Sequence, residues 1–149
     1  MTEPRLPRLL GFMGLLPQLF AVLLIWLRDP QWHFAALAMA YFYAATILSF
    51  LGGLWWGLAA RSERPPSWAF LAAVAPQLIA FASAWPWAIG APWPGPSMIV
   101  LAVALVAALG VDVALYRRGM APPWWLSLRA PLSLGLGVLT FLGAMLPPP

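Results

Sequence analysis

Five long runs of apolar residues take up most of this chain, and they constrain its fold more than any other feature. A helix needs about 20 residues to cross roughly 30 Å of bilayer hydrocarbon. Continuous apolar runs lack the alternation of a barrel strand, so the spans are helical. The sequence predicts an all-α polytopic membrane protein, a compact five-transmembrane-helix bundle that forms a single integral membrane domain over residues 1–149. The predicted spans are Leu9–Leu27, Phe34–Ala60, Trp68–Ile89, Met98–Tyr116 and Pro131–Leu146.

The charged residues support this class and exclude others. They make up only 8% of the chain, against about a quarter in soluble domains, so the expected surroundings are a lipid bilayer. The basic residues are all arginines, scattered beside the apolar runs without a basic groove, which argues against nucleic acid as a partner. The absence of cysteine excludes disulfides, thiolate metal sites and cysteine nucleophiles.

The arginines also predict an orientation. Short loops rich in arginine stay in the cytoplasm, and Arg28 alone lies on the far side of the predicted spans. The N-terminus is therefore predicted inside and the C-terminus outside, which requires an odd number of spans. The seven arginines on the inner side are Arg5, Arg8, Arg61, Arg64, Arg117, Arg118 and Arg129.

The ten tryptophans divide into two groups near the ends of the spans, as interfacial aromatic belts would. The outer group is Trp26, Trp32, Trp85, Trp87 and Trp93, and the inner group is Trp55, Trp56, Trp68, Trp124 and Trp125. Trp55 and Trp56 are accordingly interpreted as interfacial anchors.

Small residues in the second span predict a helix-packing seam. They recur at every fourth position, with one further glycine widening the same face, and they include a G-x-x-x-G motif that lets another helix approach closely. The predicted seam is Ala45, Ser49, Gly52, Gly53 and Gly57. A wall for a flat ligand is the alternative.

Polar residues inside spans are candidates for ligand binding. Asp112 is the only carboxylate in a span; it is either a proton, cation or ligand-amine site or a structural ion pair with Arg117, Arg118 or Arg129. Gln18 and Gln77 each follow a proline near mid-membrane, where they either join helices or line a shared polar cavity. Tyr41 and Thr46 bond either within the bundle or to a ligand.

The residues do not suggest catalysis or a metal site. A single intramembrane carboxylate cannot form the acid and base pair that most hydrolytic chemistry needs, and His33 is the only histidine, interpreted as an interfacial polar residue. The sequence therefore predicts no catalytic residues, no metal and no cofactor, and the protein is expected not to be an enzyme.

Three segments resemble a known family. "LGFMGLLPQL" in the first span, "YAATILSFLGGLWWG" in the second and "YRRGMAPPWWLSLRAPL" before the fifth are similar to the transmembrane-protein-69-like group, domain-of-unknown-function family 3429. The resemblance implies a small multi-pass protein of the bacterial cytoplasmic (inner) membrane, and it implies no particular activity. The number and length of the spans are also similar to those of the translocator-protein family, by analogy of architecture alone.

Two functions follow as hypotheses. The leading one is a non-enzymatic accessory or assembly subunit that packs its helices against a larger membrane complex, with a membrane-protein partner or a homo-oligomer as the associated species. The alternative is a binder or carrier of an apolar small molecule, such as a quinone, a lipid or a tetrapyrrole, in a translocator-protein-like bundle.

Overall fold

The predicted all-α architecture is confirmed. The computed structural model describes residues 5–148, and within them five helical segments are long and apolar enough to cross a membrane. The helices are α1 (Arg5–Met13), α2 (Leu16–Leu27), α3 (His33–Ala60), α4 (Ser67–Ser83), α5 (Trp85–Ala88), α6 (Gly95–Arg117) and α7 (Trp125–Ala144). The first span consists of α1 and α2, and the third of α4 and α5.

The first span is interrupted at Gly14 and Leu15. Pro17 lies in the first turn of α2, where its missing N–H costs no helical hydrogen bond. The hydroxyl of Tyr43 on α3 donates to the carbonyl oxygen of Gly14, one of the groups that the interruption exposes. The second span therefore stabilises the break in the first.

The fifth span begins at Trp125 rather than at Pro131. Ser127 and Arg129 interrupt the apolar run in the sequence, but both lie within α7, and Pro131 lies inside the helix without ending it. The sequence-based boundary was therefore too late, because a buried and paired arginine counts as polar in a hydropathy pattern.

The five spans form a ring in chain order. Each span packs against the next, α2 contacts α7 to close the ring, and α3 also contacts α6 and α7 across the middle. Ala36, Ala40 and Ala44 are almost fully buried along one face of α3. These small side chains, four residues apart, let neighbouring helices approach α3 closely.

Candidate functional site

A buried polar cluster joins three spans around Asp112. The carboxylate on α6 has no exposed surface. Its Oδ1 accepts hydrogen bonds from Nε1 of Trp55 on α3 and Nε1 of Trp125 on α7, both at 2.9 Å. Its Oδ2 accepts one from Nε of Arg129 at 3.1 Å, and Nη2 of Arg129 donates to Oγ of Ser133 at 2.8 Å.

This geometry is that of a structural ion pair. Among the three arginines predicted as partners of Asp112, Arg129 forms the pair, while Arg117 and Arg118 lie exposed at the end of α6. Burying a carboxylate in hydrocarbon is costly unless the charge is paired and both oxygens are hydrogen-bonded. Both conditions are met at Asp112.

The interpretation of Trp55 and Trp125 as interfacial anchors was wrong. Both are less than a tenth exposed, and both indoles donate to the carboxylate, whereas Trp56 is half exposed. The spacing of Trp125 and Arg129, four residues apart, places them on one face of α7 and was an available signal for shared contacts. The sequence offers no comparable signal for Trp55.

Gln18 and Gln77 do not share a site. Gln18 is fully buried, and its Nε2 donates to Oγ1 of Thr140 on α7 at 3.0 Å, while its Oε1 has no hydrogen-bond partner in the structure. Gln77 is exposed on α4. The prediction of a shared polar cavity was wrong, because similar depth along two spans does not fix which way each residue faces, and Gln18 instead joins two helices.

Tyr41 and Thr46 on α3 differ in burial and in hydrogen-bond partners. Tyr41 is buried, and its hydroxyl is 3.0 Å from Oγ of Ser83, a contact between α3 and α4. Thr46 is exposed and donates to the carbonyl of Tyr43 in its own helix. Three of the predicted candidates, Tyr41, Thr46 and Gln77, line one outward-facing groove of about 380 Å³ between α3 and α4, together with Ser49.

The five small residues of the predicted seam do not form one contact within the chain. A Cβ atom built on Gly52 would lie 2.2 Å from the carbonyl oxygen of Ala73, so α3 and α4 meet backbone to backbone there. A Cβ on Gly53 or Gly57 would meet nothing within 4 Å. Ala45 and Ser49 are only partly buried.

The residues that pack are displaced by one position from the predicted seam. Ala36, Ala40, Ala44 and Gly52 belong to the buried four-residue series of α3, and all four are buried. One residue corresponds to about 100° around a helix. Of the predicted seam, Gly52 therefore packs inside the bundle as expected, whereas Gly53 and Gly57 turn toward its outside and Ala45 and Ser49 are only partly buried.

His33 is buried within the bundle at the first residue of α3. Only 1% of it is exposed, and neither ring nitrogen has a hydrogen-bond partner in the structure. Its depth near the outer interface stays a prediction, whereas its burial was not foreseen, since hydropathy gives depth but not the direction of the side chain.

Comparison with known proteins identifies the family. The model of a family described as a protein of unknown function (DUF3429) matches residues 3–145, nearly the whole chain. The chain belongs to the DUF3429 family. No match was found among curated proteins or among solved structures. The narrower resemblance of this DUF3429 protein to the transmembrane-protein-69-like group stays a prediction.

Proposed function

We propose that this protein is a non-enzymatic accessory or assembly subunit of the bacterial cytoplasmic membrane, which binds a transmembrane helix of a larger complex in the groove between α3 and α4. The observation that carries this proposal is the open space at Gly53 and Gly57. These glycines lie beyond the lining of the groove and continue, along the outer face of α3, the four-residue series of Ala45 and Ser49, which do line it. Glycine in a helix interior is unfavourable by about 1 kcal/mol relative to alanine. Glycines without an internal packing role are consistent with an external one.

The exposed amide of Gln77 needs a hydrogen-bond partner, which an occupant of the groove would have to provide. Gln77 lies ten residues after the start of α4, about 15 Å along the helix axis and near the middle of the span. An amide facing hydrocarbon without a partner costs several kcal/mol. A helix seated in the groove could supply that partner through its own polar side chain or a backbone carbonyl.

The small residues beside Gln77 suit a helix as the occupant. Ala45, Ser49, Gly53 and Gly57 follow one another at four-residue spacing along α3, and Ser49 bonds to the carbonyl of Ala45, which reduces its own polar demand. Helix association in lipid is driven by close van der Waals contact and interhelical hydrogen bonds. The small residues of α3 allow close van der Waals contact along the length of a helix, and Gln77 beside them offers an interhelical hydrogen bond.

A role without catalysis is supported by the state of Asp112. Its two carboxylate oxygens accept hydrogen bonds from Trp55, Trp125 and Arg129, and no part of the residue is exposed. A general acid or base must reach the proton that it transfers. A carboxylate held in this way stabilises the bundle instead.

The test compares two glycines that face outward. Gly53 and Gly110 both have open space around an added side chain, but Gly110 lies on α6, away from the groove. We expect Gly53→Leu to remove the partner that co-purifies in mild detergent and Gly110→Leu to retain it, with both variants as stable as the parent protein. Equal co-purification by both variants would contradict the proposal.

Cross-linking identifies the occupant. Because the chain has no cysteine, Gly57→Cys provides a single attachment point for a short cross-linker in native membranes. A cross-linked species containing a second membrane protein supports the proposal. A species containing only two copies of this chain would replace it with a homo-oligomer.

Binding of an apolar small molecule is the second candidate. It was expected from Gln18, Gln77 and Asp112, which do not form a common site. A different pocket favours it, on the opposite side of α3, where Arg129 and Ser133 line an otherwise apolar space.

A further inference from the structure

An apolar pocket of about 180 Å³ lies between the first, second and fifth spans, beside the Asp112 cluster. Leu10 of α1 and Phe50 of α3 line it and are more than half exposed, so the pocket opens toward lipid. Arg129 and Ser133 of α7 also line it, and both are more than nine-tenths buried. The pocket thus combines an apolar entrance with polar groups in its interior.

Arg129 retains hydrogen-bonding capacity toward this pocket. A guanidinium carries five N–H donors in a planar fork. The bond from Nε to Asp112 and the bond from Nη2 to Ser133 use two of them. A donor without an acceptor in an apolar environment is costly, so an acceptor atom from a bound molecule would be favoured here.

The charge of the cluster selects the kind of acceptor. Asp112 already neutralises Arg129 at 3.1 Å. A carboxylate or phosphate in the pocket would add an uncompensated negative charge to a low-dielectric site, which is expensive. A neutral carbonyl oxygen accepts the same hydrogen bonds without that cost.

The size of the pocket limits the part of the ligand that enters. A cavity of about 150 Å³ holds benzene, whereas drug-sized ligands need about 300 Å³ or more. One ring or one ester group fits in 180 Å³, and a tetrapyrrole does not. Gly11, one of the lining residues, lets α1 and α7 pack closely beside the pocket, since a Cβ added there would lie 2.9 Å from Cδ1 of Leu132.

We propose that this pocket binds the neutral carbonyl head of an apolar-tailed molecule, with the carbonyl oxygen accepting a hydrogen bond from Arg129 and the tail extending into lipid past Leu10 and Phe50. Arg129 lies four residues after the start of α7, about 6 Å along the helix axis, so the carbonyl head would bind near that end of the fifth span. Quinone rings and the ester groups of glycerolipids share this chemistry. This inference gives the second candidate function a site and does not depend on the groove between α3 and α4 having an occupant.

The experiment measures binding to delipidated protein in detergent by native mass spectrometry and by the midpoint of thermal unfolding. The probes are a short-chain benzoquinone, a neutral diacylglycerol and a fatty-acid anion of matched tail length. Leu132→Phe places a larger side chain in the lining, and Leu134→Phe makes the same change at a half-exposed position on α7 outside it. The unliganded melting temperature of each variant reports its folding.

We expect one equivalent of a neutral carbonyl probe to bind and raise the melting temperature. Leu132→Phe should weaken that binding at least about tenfold, equivalent to about 1.4 kcal/mol, and Leu134→Phe should not. Preference for the benzoquinone or for the diacylglycerol identifies the source of the carbonyl. Three outcomes would overturn the proposal: equal binding by the two variants, tighter binding of the anion, or no binding of either neutral probe. None of these outcomes bears on partner loss in Gly53→Leu, so the two proposals are tested separately.

Discussion

At the scale of single residues, the neighbours Trp55 and Trp56 have opposite roles. Trp55 is buried and donates to Asp112, whereas Trp56 is half exposed and packs edge to face against the ring of Phe70. Trp55→Phe removes a hydrogen bond to a charged group in a dry interior, and we expect it to destabilise the protein by about 1–2 kcal/mol. Trp56→Phe should change stability by less than about 0.5 kcal/mol. Thermal unfolding in detergent distinguishes them, and equal effects would contradict the assignment.

The sequence predicted part of this cluster, for a physical reason. A lone carboxylate in a span must be neutralised, so an arginine partner for Asp112 was foreseeable, and Arg129 was among the three candidates. The indoles of Trp55 and Trp125 were missed because tryptophan is common both at membrane interfaces and as a buried donor. A tryptophan near the end of a span therefore does not reveal from sequence alone whether it faces the membrane interface or donates a hydrogen bond inside the bundle.

At the scale of elements, the contact between α3 and α4 depends on Gly52 and not on Gly53. A methyl group at Gly52 would collide with the Ala73 carbonyl, while one at Gly53 would meet open space. We expect Gly52→Ala to destabilise the protein by about 1–3 kcal/mol, because the helices must separate. Gly53→Ala should be neutral or slightly stabilising, since alanine is the better helix former. Comparable losses of melting temperature in both variants would refute this packing.

Helix existence was predictable from this sequence, and helix rotation was not. Long apolar runs locate the spans, but they are apolar on nearly every side, so hydropathy carries little information about which face is inside. The small-residue series was found in the right helix, but apart from Gly52 it was assigned one residue away from the packed series. Gln77 was misassigned for the same reason, since its depth was predictable and its outward direction was not.

At the scale of the whole molecule, the arginines gather at one end of the bundle. The guanidinium carbon of Arg118, at the end of α6, lies 5.5 Å from the ring centroid of Trp68 near the start of α4. Arg61 and Arg118 line a common pocket of about 400 Å³ at this end. Arg129 is buried with Asp112, so the arginines that can report orientation are the six others on this side, against Arg28.

That distribution still predicts a cytoplasmic N-terminus. Alkaline phosphatase, which is active only outside the cytoplasm, should be active when fused after the C-terminal residue and inactive when fused after Arg64. The reverse pattern of activities would mean that the protein is inserted with the opposite orientation.

The pairing of Asp112 with Arg129 also constrains how the chain enters the membrane during synthesis. The two residues are separated by 17 positions, and they belong to consecutive spans. Until α7 has been made, α6 carries a carboxylate without Arg129; the cost of such a group is about 2.5–3.5 kcal/mol at the centre of an inserting helix and is lower at Asp112, five residues from the end of α6. The fourth and fifth spans are therefore expected to leave the translocon together as a hairpin, with the charge pair already formed. A nascent chain that ends before Arg129 would hold its fourth span at the translocon.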